Sequence, residues 1–289
     1  MAYEGFRALR VEVDDGVARV TLDHPPINLL DAALIGDLDR LSRELEADRE
    51  VRAVVFESAD PEFFIAHADV ELLLRVDLLP PPPPEGLGGF HRMVERFRRL
   101  PQATLAAVEG IARGGGSEFL LALDMRFAAL ESAVFGQPEV AVGILPGGGG
   151  TQRLPRLVGR GRALEIILGA GDFDAATAER YGWVNRALPR AELRGTVHAL
   201  ARRIASHPAE AVALAKRAVL AAEAGVEEGL RLEAELFDRL LRSGEAARRM
   251  RAFLAAGGQT RELERRRAED LFTAPGPAQP VDARGPREG

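Results

Sequence analysis

Two carboxylates, each beside a run of glycines, are the residues of this 289-residue chain best placed to do chemistry. Glu118 follows the triplet Gly114-Gly115-Gly116 after only Ser117, and Glu139 stands in Phe135-Gly136-Gln137-Pro138-Glu139, ahead of a second run, Gly147 to Gly150. A pair of acids whose surroundings push their proton affinities apart can run acid–base chemistry, one carboxyl donating a proton while the other activates water. The glycines supply a possible second half. A strand over 104–109, a glycine turn and a helix over 117–123 would leave unpaired N–H groups at the helix start, where the dipole also favours negative charge developing on a substrate oxygen. Taken alone a glycine turn of this kind is more often structural, with Glu118 merely complementing the dipole; Glu139 is what points to a site.

Neither glycine run fits a nucleotide cradle. A Walker loop needs a lysine and a Ser or Thr after its last glycine, and a dinucleotide fingerprint needs a wider glycine spacing than either run has. The chain has no cysteine, which excludes disulfides, thiolate catalysis and Cys-bound zinc. His24, His91, His198 and His207 lack metal-ligand spacing, so no metal is expected. A net charge of −6 offers no basic field for a nucleic-acid backbone. No apolar run approaches membrane-spanning length and the N-terminus has no signal-peptide pattern, so a soluble cytoplasmic protein without membrane contact is expected.

The elements that must hold these residues are legible from periodicity. Leu9 to Asp23 alternates apolar and polar residues about Asp14-Asp15-Gly16, the pattern of a hairpin. Asp31 is placed to cap an amphipathic helix reaching about Ala47. Arg52 to Phe56, Ala103 to Val108, Met125 to Ala129 and Ala133 to Phe135 read as short strands, so residues 1–190 form an α/β layer with parallel pairing. From Ala191 helical periodicity takes over, with helices expected over 192–206, 208–224, 226–242 and 245–256, and residues 191–271 form a helical C-terminal region. The tail, 272–289, is rich in Pro and Gly and is expected to be disordered. Pro80 to Pro84 is either a wall beside the site or, as we prefer, a surface insertion.

The segments EGIARGGGSEFLLALDMRFAA and FGQPEVAVGILPGGGGTQRLPRLVG resemble the two signature regions of the enoyl-CoA hydratase/isomerase, or crotonase, superfamily. Looser likenesses in VTLDHPPINLLD, FFIAHADVELL, FDAATAERYGWVNRALP and LAKRAV extend the resemblance over about residues 8–256. It implies an α/β fold, a spiral of ββα repeats with a helical C-terminal trimerisation region, assembled as a homotrimer or a hexamer of two trimers. It also implies an acyl-CoA substrate with no further cofactor, coenzyme A being part of that substrate. By position, the backbone amides of Ala68 and Gly115 would form an oxyanion hole, and Glu118 and Glu139 would be the two catalytic acids of a hydratase. Glu118 would chiefly activate water and Glu139 chiefly supply the proton, with Ala66, His67, Asp69 and Gly114 lining the substrate. An isomerase of the same superfamily, or a noncatalytic acyl-CoA-binding or RNA-binding member, is the alternative; the acidic charge counts against RNA, and retention of both acids favours the hydratase.

The sequence departs from that pattern at His67, where most members carry glycine before Ala-Asp. The imidazole could touch the CoA or acyl group, add a hydrogen bond or titrate near neutrality; the plainer reading, which we favour here, is that it points away and fills space. Asp69 is expected to cap a helix over 70–75. Arg113, beside the glycines, either reaches a CoA phosphate or is simply solvated, the second being more usual for a loop arginine.

Overall fold

The computed structural model describes residues 3–75, 87–222, 235–240 and 244–255. The chain divides into two compact units, 1–220 and 221–289. In the first, β1 (Leu9–Asp14) and β2 (Val17–Leu22) form the expected hairpin, in register from Leu9 opposite Leu22 to Asp14 opposite Val17. Asp15 and Gly16 both have positive φ, 47° and 76°, the backbone of a two-residue turn that follows the twist of the strands. Asp31 caps α1 (Ala32–Ala47), its carboxylate accepting from the Ala33 and Leu34 N–H groups at 2.9 Å.

Successive segments then alternate between two sheets. β3 (Ala53–Ser58), β5 (Ala103–Val108), β7 (Met125–Ala129) and β10 (Arg186–Leu188) extend the first into the order β1-β2-β3-β5-β7-β10, parallel from β2 onward. The second runs β4 (Phe63–Ile65), β6 (Ile111–Arg113), β8 (Val134–Gly136), β9 (Asp172–Asp174), with β9 antiparallel to β8. β3, β5 and β7 of the large sheet are thus each followed by a strand of the small sheet and then by helix, with α2 (Val70–Leu74) and α3 (Gly89–Arg99) after β4 and α4 (Gly115–Ala122) after β6. This is the repeating ββα order that the resemblance implied. All six residues of β3 and of β5 are buried, so both are continuous apolar runs covered on both faces rather than alternating ones.

Helix α4, which carries Glu118, is anchored by its neighbour Phe119. The Phe56, Phe97 and Phe119 rings meet edge to face with centroids 5.2–5.5 Å apart, joining β3, α3 and α4. At the far end of α4 the buried Arg126 donates to the Leu120 and Leu123 carbonyls (3.3 and 2.6 Å), a cation at the negative end of the helix. The helix begins two residues earlier than Ser117 suggested. Gly114, at φ 49° and ψ −125°, turns the chain out of β6, so the helix starts on glycine.

Helices α5 (Gly150–Val158), α6 (Arg160–Gly169) and α7 (Ala175–Tyr181) follow, and α8 (Arg190–Ala205) packs across β3, β5 and β7. Helix α9 (Ala209–Ala221) carries Lys216, the only lysine in the chain, whose Nζ lies 2.8 Å from Asp124 Oδ2. In the second unit residues 235–240 are helical and a helix spans Gly244–Ala255. The readings of Pro80 to Pro84, of 226–234 and of the tail lie outside the described residues. Among the described residues no helix is long and apolar enough to cross a membrane.

Candidate active site

The two predicted acids come together behind the glycine turn. Glu118, in the first turn of α4, is 3% exposed. Its Oε1 accepts from the Gly148 N–H at 2.7 Å and the Gly150 N–H at 2.8 Å. Burial pushes this carboxyl above its ordinary proton affinity, while those two amides and the charges of His91 and Arg153 pull the other way. Glu139 opens a short 3-10 helix, Glu139–Val142, directly after Pro138. It is raised to about 7, first by burial and further by the charge of Glu118, against a backbone hydrogen bond that lowers it.

Gln137 ties Glu139 to Ser117, the residue before Glu118. With its amide oriented by its partners, the nitrogen donates to both Glu139 oxygens (2.9 and 3.1 Å) and the oxygen accepts from Ser117 Oγ at 3.2 Å. Gly148 and Gly150 are glycines because Glu118 stands on them: a β-carbon on Gly148 would meet Glu118 Oε2 at 2.7 Å and Phe90 at 2.4 Å. Behind the loop, Arg153 donates to the Gly148 carbonyl (3.1 Å) and to Glu95 Oε2 (3.0 Å), tying α5, α3 and the loop into one brace. The sequence reading passed over Gln137, the two loop amides and Arg153. Gln137 is adjacent to Glu139 and the amides belong to the second glycine run, but nothing in the spacing marks Arg153.

The two backbone amides are neighbours. A β-carbon on Gly115 would lie 3.7 Å from the Ala68 nitrogen, so the start of α4 abuts Ala68. As the first residue of the helix, Gly115 has an N–H without an intrahelical acceptor. Ala68 pairs with Leu30 as an isolated parallel bridge, in which Leu30 N–H donates to the His67 carbonyl and Asp69 N–H to the Leu30 carbonyl. The Ala68 N–H therefore faces away from Leu30, and it has no acceptor among the described residues.

The remaining expectations divide. Gly114 lies under the acids, its α-carbon so near that a β-carbon would stand 3.3 Å from Glu139 Oε1. Ala66 is buried with its backbone fully engaged, N–H to the Ile27 carbonyl and carbonyl to the Arg113 N–H, both at 3.2 Å. Asp69 caps α2, accepting from the Glu71 N–H at 2.9 Å. His67 does more than fill space: its Nδ1 contacts the Ala68 carbonyl at 2.8 Å. Arg113 is partly exposed but engaged, its guanidinium making two 2.6 Å bonds to the Asp172 carboxylate. His24 and His198 pair with Asp31 and Glu57. Among the described residues no group of three or more metal-binding side chains is gathered.

A model of the enoyl-CoA hydratase/isomerase family matches residues 12–259. The short-chain-enoyl-CoA hydratase of Clostridium acetobutylicum is 35% identical over 251 residues, covering 84% of this chain and 93% of that protein. Among solved structures, the enoyl-CoA hydratase from Bacillus anthracis superposes with a TM-score of 0.79 at 30% identity, over 86% of this chain and 97% of that one. DspI of Pseudomonas aeruginosa gives 0.79 at 32% identity, over 88% and 96%. The family model spans every residue that builds the site, and the superposed structures share the fold: this chain belongs to the enoyl-CoA hydratase/isomerase family.

Proposed function

We propose that the protein is an enoyl-CoA hydratase, adding water across the 2,3 double bond of a 2-enoyl-CoA thioester to give a 3-hydroxyacyl-CoA. The observation that carries this reading is the pair of carboxyls, Glu118 and Glu139, buried beside two unpaired backbone amides and close enough that the charge of one raises the other. The thioester oxygen accepts from the Ala68 and Gly115 N–H groups. As nucleophile adds to the β-carbon, negative charge moves onto that oxygen, and preorganised amides stabilise it by roughly 3–4 kcal/mol per donor.

The acids divide the proton work by environment. Burial raises Glu118, and the two N–H donors on Oε1 offset part of that rise while leaving Oε2 to hold a water and take its proton as the oxygen attacks the β-carbon. Glu139, raised to about 7, is about half protonated at neutral pH, and its protonated form delivers the proton to the α-carbon. The product has gained one hydroxyl and one hydrogen. Glu118 then carries the proton and Glu139 the charge, and solvent exchange restores the starting state. Both carboxyls contact the water during the cycle. No cofactor enters beyond the CoA moiety of the substrate.

Exposed Leu157, Leu164 and Leu168 on α5 and α6, with Val142, Ile144 and Leu145 nearby in sequence, support the homotrimeric or hexameric assembly that the family resemblance implies. Light scattering tests that assembly directly. Activity is tested by offering crotonyl-CoA and a 3-enoyl-CoA in ¹⁸O-labelled water and following both by mass spectrometry. Label in a 3-hydroxyacyl product supports the hydratase; turnover of the 3-enoyl substrate without label would make the protein an isomerase.

A further inference from the structure

Ala68 is flanked by two peptide units with four polar groups, and their partners give His67 a task. The His67 carbonyl accepts from the Leu30 N–H at 2.9 Å, and the Asp69 N–H donates to the Leu30 carbonyl at 3.1 Å. The Ala68 carbonyl accepts from no backbone N–H among the described residues. It lies 2.8 Å from His67 Nδ1. A carbonyl oxygen only accepts, so Nδ1 carries a proton in this contact. Three of the four groups are therefore held, two by Leu30 and one by the imidazole. The fourth is the Ala68 N–H, which has no acceptor among the described residues.

We infer that His67 is a positioning residue for the oxyanion donor: its Nδ1–H fastens the Ala68 carbonyl and so keeps the Ala68 N–H aimed at the thioester oxygen. This rests on the proposed role of Ala68 as a donor. Leu30 secures the two peptides only on their far sides, and rotation of the backbone about Ala68 is checked by the ring. The His67 β-carbon lies 3.9 Å from where a Gly114 β-carbon would stand, a point also 3.3 Å from Glu139 Oε1. A glycine at position 67 has no side chain to make the contact, so this chain orders its donor by a bond that a glycine-bearing relative lacks.

The test uses the geometry of the side chain. Asn carries its amide nitrogen on Cγ, where His carries Nδ1, so His67→Asn can keep the donor; His67→Ala removes it and His67→Leu removes it while keeping bulk. The readouts are kcat and KM for crotonyl-CoA, and the red shift of an aryl-conjugated 2-enoyl-CoA, which grows as the carbonyl is polarised. The Ala and Leu variants are expected to lose about fivefold in kcat, the net worth of one neutral hydrogen bond, with little change in KM and a smaller red shift. His67→Asn is expected to restore both. Should the alanine variant fail to fold, the leucine variant carries the comparison. Wild-type kcat and red shift in the donorless variants, or an Asn variant as impaired as they are, overturns the inference and leaves the hydratase reading standing. If the wild-type protein binds the probe without any red shift, the oxyanion role of Ala68 fails, and the inference with it.

Discussion

The α-carbon of Gly115 lies against Leu30: a β-carbon there would stand 2.9 Å from Leu30 Cδ2 and 3.4 Å from Ala68 Cβ. The first amide of α4 reaches the Ala68 amide only because position 115 has no side chain. Gly115→Ala is expected to push the helix start outward and lower kcat/KM by about 10²–10³-fold, the range for losing one oxyanion donor. Leu30→Ala in the same background should recover part of the loss, because it removes the closer obstruction. Steady-state kinetics of the single and double variants check both statements.

The amide substitutions Glu118→Gln and Glu139→Gln keep shape and remove titration. Each is expected to lower kcat for hydration by about 10²–10⁴-fold, the contribution of a positioned general acid or base, with the fold retained by circular dichroism. Full activity in both variants would remove these carboxyls from the mechanism.

Glu139 sets an alkaline limit. A carboxyl raised to about 7 is protonated below that value and ionised above it, so a step that needs its proton slows as pH rises through about 7. We expect kcat/KM for crotonyl-CoA to fall about tenfold per pH unit on the alkaline side. Glu139→Gln, which cannot titrate, should flatten that limb in whatever activity remains.

Arg153 should be visible on the other limb. Its charge helps hold Glu118 ionised, and its bond to the Gly148 carbonyl steadies the loop whose amide meets Glu118. In Arg153→Leu the Glu118 carboxyl is expected to rise further, so the acidic limb of the pH–rate profile moves to higher pH and kcat falls even at its optimum. A variant with lowered kcat and an unmoved limb would confine Arg153 to holding the loop.

Much of this architecture is written locally. The β1–β2 hairpin, the Asp31 cap of α1 and the apolar strands β3, β5 and β7 follow from alternation, turn residues and capping, all of which act within a few residues. The helix start at 115 rather than 117 shows where local reasoning slips: a polar Ser117 resembles a cap, but the chain leaves β6 through the positive φ of Gly114. Arg113 slips for another reason. Its partner Asp172 lies on β9, and only the pairing of β8 with β9 brings the carboxylate beside it.

By itself the sequence determined that two glutamates stand beside glycine runs at element ends, because those signals are carried by short stretches of chain. What the tertiary structure decided is which groups face them. The Gly148 and Gly150 amides on Glu118, the Gln137 bond to Ser117, the Arg153 bond to Glu95 and the approach of Gly115 to Ala68 all join residues far apart in sequence. Proton affinity is likewise a property of burial and of neighbouring charge, so the difference between the two carboxyls exists only once the chain has closed around them.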